Sequence, residues 1–254
     1  MSQFRQNPLT GQWVSIAPQR ADRPVDVQHN LGEEAEPTCP FCEGNEESTP
    51  AESLVLRGGE SLSNGPGWKV RVVPNRYPFV EAVTDTAGTT PPDEFFTAHS
   101  SEGVQEVIIE SPRHATEVTQ LSTAEWTDVL GVYRTRLKQL HNDGRWKYVL
   151  LFKNSGEAAG ASLSHIHSQL VALPTTPDII DAMSKRFQQH FQRHGRSLLT
   201  DLVNREIVEG ARVVDEGEHF VALCPFASRQ PYEIHVIPKR QAASFAEVAD
   251  TALP

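Results

Sequence analysis

Apolar residues in the first quarter of the chain follow no regular spacing. Residues 1–66 are rich in Pro, Gly, Glu and Asn, which predicts a segment held by something other than a hydrophobic face of its own, such as a metal clip. Regular patterns begin after it. Residues 68–73 and 104–109 read as strands, the second carrying the β-branched run Val107, Ile108 and Ile109 and ending at Pro112, with residues 84–102 as a loop between them. Ser122 and Glu125 have the spacing of a capping box, and Trp126, Val129, Leu130, Tyr133, Leu137 and Leu140 recur at helical intervals. This predicts a helix to Asn142, closed by Asp143-Gly144. Residues 146–153 read as an almost wholly apolar strand, followed by the small-residue loop 154–162 and a short strand over 165–173, stopped by Pro174. Between Asp178 and about Glu209, Ile179, Ile180, Met183, Phe187 and Phe191 predict a helical stretch interrupted near Gly195.

The C-terminal part weakly echoes this order. Glu106 to Arg113, then a loop and a helix, is matched by Glu233 to Lys239, then Ser244-Phe245-Ala246-Glu247. The pattern predicts a two-copy architecture whose second copy is incomplete at Pro254, with a strand edge and apolar surface that association into a homodimer would cover. Domains are expected over 1–175 and 176–254.

Composition narrows the class. With 254 residues, 38% hydrophobic and 22% charged, the chain can build a sizeable core, and disorder, collagen and coiled coil are excluded. Lys plus Arg is 23 against Asp plus Glu 33, a formal charge of −10, without any basic block, so neither nucleic acid nor a membrane surface is an expected partner. A phosphate ligand would need the few arginines concentrated locally. The longest apolar runs, such as Tyr148–Phe152, fall far short of the ~20 residues of a membrane span. Three cysteines make no disulfide framework, and the start MSQFRQNPLT has neither the basic nor the apolar region of a signal peptide, which predicts a cytoplasmic protein.

Two motifs carry chemistry. On a strand, His165 and His167 of His165-Ile166-His167-Ser168-Gln169 share one face, next to a loop whose amides can approach an anion closely. A histidine beside such a cradle serves as a nucleophile toward phosphorus or as an acid/base group. An isolated pair of this kind is met as two hydrogen-bonded structural histidines; the loop and Gln169 favour chemistry here. Cys39-Pro40-Phe41-Cys42 has the spacing of two zinc thiolates and of a redox pair, and its acidic, loop-like flanks favour zinc. Closing the site needs two more ligands, for which His114 and His165 are the candidates. His29, His99, His141, His190 and His194 read as solvated, Cys224 as a buried apolar thiol, and His235 as a strand histidine without a catalytic role.

In order along the chain, Phe4 to Val14, Arg20, Arg23-Pro24, Cys39-Pro40-Phe41-Cys42, Pro74-Asn75-Arg76-Tyr77-Pro78, Ser111-Pro112-Arg113-His114 and Asn154-x-Gly156-x-x-x-Gly160-x-Ser162-x-x-His165-x-His167-x-Gln169 form one set. The set resembles galactose-1-phosphate uridylyltransferases of the histidine triad superfamily, chiefly over residues 4–173. The resemblance implies an α+β fold with a histidine-triad-like antiparallel sheet and packed helices, the nucleotidyltransferase domain in 1–175, and a linking helix with a partial second copy in 176–254. It implies His167 as nucleophile and Gln169 as a hydrogen-bond partner of the transferred phosphoryl group. Asn75 and Tyr77 fall where the family contacts base and ribose, and Arg20, Arg23, Asn154, Gly160 and Ser162 around the phosphates. Cys39, Cys42, His114 and His165 would bind one structural Zn²⁺. The implied reaction is ping-pong uridylyl transfer between UDP-glucose and a hexose 1-phosphate, chiefly galactose 1-phosphate. Ile166 and Ser168 stand where the family usually has proline and glycine, a variant met in relatives that transfer adenylyl groups, so an adenylyltransferase or phosphorylase on ADP-sugars is the alternative, as is a zinc-stabilised nucleotide-binding module without turnover. Ser197-Leu198-Leu199-Thr200 replaces a second C-x-x-C of many relatives, so no second thiolate site is expected.

Overall fold

Residues 68–74, 104–109 and 167–173, buried almost throughout, form three long neighbouring strands in the structure, a computed structural model that describes residues 2–6, 13–22, 39–59, 62–82 and 95–249. Residues 1–175 and 176–253 form two compact units.

The first unit runs β1 (Gln3–Gln6), β2 (Trp13–Ile16), β3 (Leu54–Arg57), β4 (Trp68–Pro74), β5 (Ala98–Ser100), β6 (Val104–Ile109), α1 (Thr123–Asp143), β7 (Tyr148–Phe152) and β8 (His167–Leu173). Its main sheet is antiparallel in the order β3-β4-β6-β8-β7, and β2-β1-β5 form a second, three-stranded sheet. The opening quarter is therefore not structureless: β1 and β2 pair with each other, and β1 pairs with β5, inside the stretch read as a loop. Strands of three or four residues are too short to carry a readable period.

Register sorts the main sheet into two faces. Val73, Val107 and Gln169 lie abreast on one, as do Arg71, Ile109 and His167; Val72, Ile108 and Ser168 lie on the other. Helix α1 covers the second face with Val129, Val132, Tyr133, Leu137 and Leu140. It starts at a capping box, Ser122 accepting from the Glu125 amide while Glu125 reaches back, and stops at Gly144 with φ 76°. Arg136 clamps the buried Glu106 of β6 from above at 2.7 and 2.8 Å.

The strand over 165–173 begins two residues later than the alternation suggests, at His167, because the amide of Ile166 bonds the Ala115 carbonyl at 2.6 Å instead of a sheet neighbour.

The second unit contains α2 (Asp178–His194), α3 (Leu198–Glu209), β9 (Val213–Glu216), β10 (Phe220–Leu223) and β11 (His235–Pro238). Gly195, φ 66°, ends α2, and Ser197 caps α3. The strands form an antiparallel sheet β11-β10-β9 on a core of Val203, Val221, Leu223 and Ile237. Cys224 is only partly buried, one residue past the end of β10. His190 is not simply solvated: it meets Asp201 at 2.8 Å. His235 is exposed, beside Glu233 at 3.2 Å.

Candidate active site

Two adjoining constellations lie on the face of the main sheet opposite α1. In the first, the turn carrying Cys39 and Cys42 meets His114, just beyond β6, and His165, just before β8; one ligand atom of each lies within 4.8 Å of all the others. Sulfur to Nδ1 distances are 3.5 Å from Cys39 to His165, 3.4 Å from Cys42 to His114 and 3.6 Å from Cys42 to His165. A tetrahedral ion with zinc-like bond lengths separates such atoms by about 3.6 Å, so donor set and spacing fit a metal. Nε2–H of His165 donates to the Ser111 carbonyl at 2.9 Å, which fixes its lone pair on Nδ1, toward the sulfurs. Burial pushes His165 down to about 3, and burial together with Cys39 pushes the Cys42 thiol up to about 12. Both groups are thus held neutral, the state that a divalent cation would convert to imidazole plus thiolate ligands.

In the second, His167 and Gln169 project from β8 into an open pocket also lined by Phe41, Asn75, Arg76, Tyr77 and Ser162. Nδ1–H of His167 donates to the His165 carbonyl at 2.8 Å, so the tautomer carries its lone pair on Nε2. Phe41 packs edge-on against both histidines, ring centroids 6.0 Å from His165 and 5.2 Å from His167. Gln169 Oε1 accepts from Gln105 at 3.0 Å and from Asn75 at 3.5 Å, which presents its NH₂ to the pocket. A nucleophilic nitrogen and a fixed donor beside one cavity suit attack on a phosphoryl group.

Behind β8, on the helix side, the fully buried Glu110 accepts from Ser168 at 2.5 Å, from Tyr133 and from Lys153 at 2.5 Å; Lys153 also donates to the His167 carbonyl at 3.1 Å. Burial, then the nearby Glu110, pushes the Tyr133 phenol up, keeping it a donor. This anchor grips the backbone of the strand at the histidine itself.

Of the residues the sequence points to, Cys39, Cys42, His114 and His165 come together, and His167, Gln169, Asn75, Tyr77 and Ser162 share the pocket. Asn154 and Gly160 lie beside each other in the loop before β8, where Gly156 and Gly160 have φ of 78° and 81°, values that favour glycine. Arg20 is not at the pocket wall: its guanidinium donates to the Tyr77 carbonyl at 2.8 Å and lies over Phe79. Arg23 falls outside the described residues. Phe41, Gln105, Glu110 and Lys153 escaped sequence reasoning. The available signal was polarity in the wrong place, Gln105 and Glu106 standing inside a β-branched strand and both buried.

Residues 1–177 match the family model "Galactose-1-phosphate uridyl transferase, N-terminal domain", and residues 183–253 match its C-terminal domain. An ADP-glucose phosphorylase of Arabidopsis thaliana is 32% identical over 251 residues, 98% of this chain and 69% of that protein. A galactose-1-phosphate uridylyltransferase of Haemophilus influenzae is 31% identical over 252 residues, 97% of this chain and 68% of that protein. A solved uridylyltransferase structure superposes with a TM-score of 0.76 at 26% identity, covering 99% of this chain and 70% of that one.

Proposed function

Because this chain belongs to the galactose-1-phosphate uridyl transferase family, we propose that it is a nucleotidyltransferase exchanging a uridylyl group between UDP-glucose and galactose 1-phosphate through a covalent intermediate on His167. One observation carries the reading: the His165 carbonyl holds Nδ1–H of His167, next to the Gln169 donor, in a single pocket. Nε2 attacks the α-phosphorus of the nucleotide sugar; the N–P bond forms as the P–O bond to the departing glucose 1-phosphate breaks, and the electron pair leaves with that phosphate oxygen. The Nδ1 proton stays in place, its carbonyl partner stabilising the positive charge on the substituted ring. A phosphate oxygen of galactose 1-phosphate then attacks the same phosphorus and returns the electron pair to Nε2. Gln169 donates to a non-bridging phosphoryl oxygen in both displacements, with Ser162 and the amides of the 154–162 loop around the phosphates and Asn75 and Tyr77 toward the nucleoside. Arg20 acts indirectly, by fixing Tyr77.

Cys39, Cys42, His114 and His165 would hold one zinc ion, closed to substrate, which when bound supplies a cross-link that fixes the start of β8. Residues 1–175 would constitute the transferase domain, and thiolate ligands suit a reducing compartment such as the cytoplasm. Edge strand β11, with Val236 exposed, supports a homodimer.

A second reading, adenylyl transfer from ADP-glucose to phosphate, is favoured by Ser168 and by the likeness to the Arabidopsis ADP-glucose phosphorylase. Incubating the protein with UDP-glucose or ADP-glucose labelled at the α-phosphorus separates the two. The expected result is an acid-labile, alkali-stable label on His167 from UDP-glucose, released by galactose 1-phosphate and lost in His167→Gly, from a preparation dimeric by light scattering. Label from ADP-glucose released by phosphate selects the second reading. Nucleotide binding without label, or label elsewhere, overturns the mechanism and leaves a binding module.

A further inference from the structure

The hydrogen bonds that reach Gln169 run in one direction, and their direction is set by backbone. The amide of Phe79, which can only donate, gives its proton to Gln105 Oε1 at 2.8 Å. The other end of the Gln105 carboxamide must then be its NH₂, and this donates to Gln169 Oε1 at 3.0 Å. A second arm has the same logic: the Tyr77 amide donates to Asn75 Oδ1 at 2.8 Å, turning the Asn75 NH₂ toward the same Gln169 oxygen at 3.5 Å. The Asn75 amide itself donates to the Gln105 carbonyl at 2.9 Å, closing the arrangement. The turn that supplies both amides is held from its carbonyl side, since Tyr77, Pro78 and Phe79 accept from Arg20 at 2.8 Å, Gln19 at 3.0 Å and Ser15 at 3.3 Å.

A carboxamide can rotate by half a turn at little steric cost, exchanging donor for acceptor. At Gln169 that rotation would aim a carbonyl oxygen at an anionic phosphoryl group. We propose that Gln105, polarised by the Phe79 amide, is a positioning residue that locks the Gln169 side chain with its NH₂ toward the reacting phosphoryl group. Asn75 backs it from the second arm. Gln105 is 4% exposed and lies behind Gln169, so it acts through Gln169 and not on substrate. The inference rests on the proposed phosphoryl-transfer role of Gln169.

The test is the single-turnover rate of His167 labelling by whichever nucleotide sugar labels it, in Gln105→Glu, Gln105→Met, Gln169→Met and the two double variants. In Gln105→Glu one carboxylate oxygen keeps the Phe79 bond, while the other faces Gln169 and forces its NH₂ inward. The rate is expected to fall by about 100-fold, as when an oxyanion donor is removed. Gln105→Met removes the donor but leaves the Asn75 arm, for an expected loss of about tenfold. In the Gln169→Met background neither change should cost more than about threefold, because no amide remains to be turned. Losses undiminished in that background, or Gln105→Glu faster than Gln105→Met, would overturn the inference, since a packing role predicts either. Should Gln105→Glu not fold, the Met cycle decides alone: tenfold shrinking to threefold supports the lock, and equal losses sink it. A Gln169→Met protein as fast as the parent would instead remove the role assigned to Gln169, and is read separately.

Discussion

The side chain of Tyr133 shows how a single hydroxyl on the far face of a sheet serves a site it never touches. It joins Glu110 and Ser168 under the strand that carries His167, on the face opposite the pocket. Tyr133→Phe leaves Glu110 with Ser168 and Lys153, removing one hydrogen bond to a buried charge, and should cost about 2 kcal/mol in denaturant unfolding. The labelling rate of His167 should change less than about threefold, because Lys153 still holds the His167 carbonyl. A hundredfold loss of rate at unchanged stability would show that the anchor enters the chemistry. The same scale explains what the sequence made legible: His167, Gln169 and the two cysteines sit in short spacings that the chemistry demands. Gln105 and Glu110 have no motif, since their meaning lies in partners 64 and 58 residues away.

Among the elements, the segment from Gly44 to Glu52 has almost no hydrophobic face and is fastened by carboxylates. Glu46 accepts from the Trp68 indole at 2.7 Å and from the Gly44 amide, and Glu52 from Arg57 at 2.8 Å and Arg71 at 3.2 Å. Burial raises both carboxyls, but these hydrogen bonds and the neighbouring guanidinium charges outweigh it and hold both below the usual range. With folded values under unfolded ones, their stabilisation is complete above about pH 4.3 and is lost as pH falls through the folded values. Thermal melts should therefore be level from pH 7 to about 5 and drop below that. Glu52→Gln should lose about 3 kcal/mol at pH 7, leaving the buried Arg71 charge with Glu46 as its remaining carboxylate neighbour, and should show a shallower acid limb. An acid limb identical to the parent's would refute the assignment. This segment carried no readable period because side-chain polar bonds hold it, and β1, β2 and β5 carried none because each spans only three or four residues. Helix α1 and strands β4, β6 and β7 were readable because their own apolar spacing builds them. The regular strand starts at His167, two residues later than the sequence suggests, yet His165 and His167 still share Phe41 as a ring neighbour, as alternation on one face predicts.

Across the whole first unit, the Cys39, Cys42, His114 and His165 cluster joins the unpatterned opening to the sheet, and a metal bound there would count as folding free energy. Removing it with a chelator should lower the melting temperature by roughly 10 °C, with one zinc per chain recovered by elemental analysis, and Cys39→Ser should reproduce the shift. A stripped protein as stable as the loaded one would contradict this. The cluster also sets a schedule for the living cell. Cys39 precedes its partner His165 by 126 residues, and Cys42 precedes it by 123. At translation speeds of about 5–20 residues per second, both thiols wait roughly 6–25 s before the strand that completes their cage is synthesised. For that interval they would be open to oxidants and to competing soft metals, and if the cage takes zinc, synthesis in the presence of zinc and reductant should raise the share of metal-loaded chains.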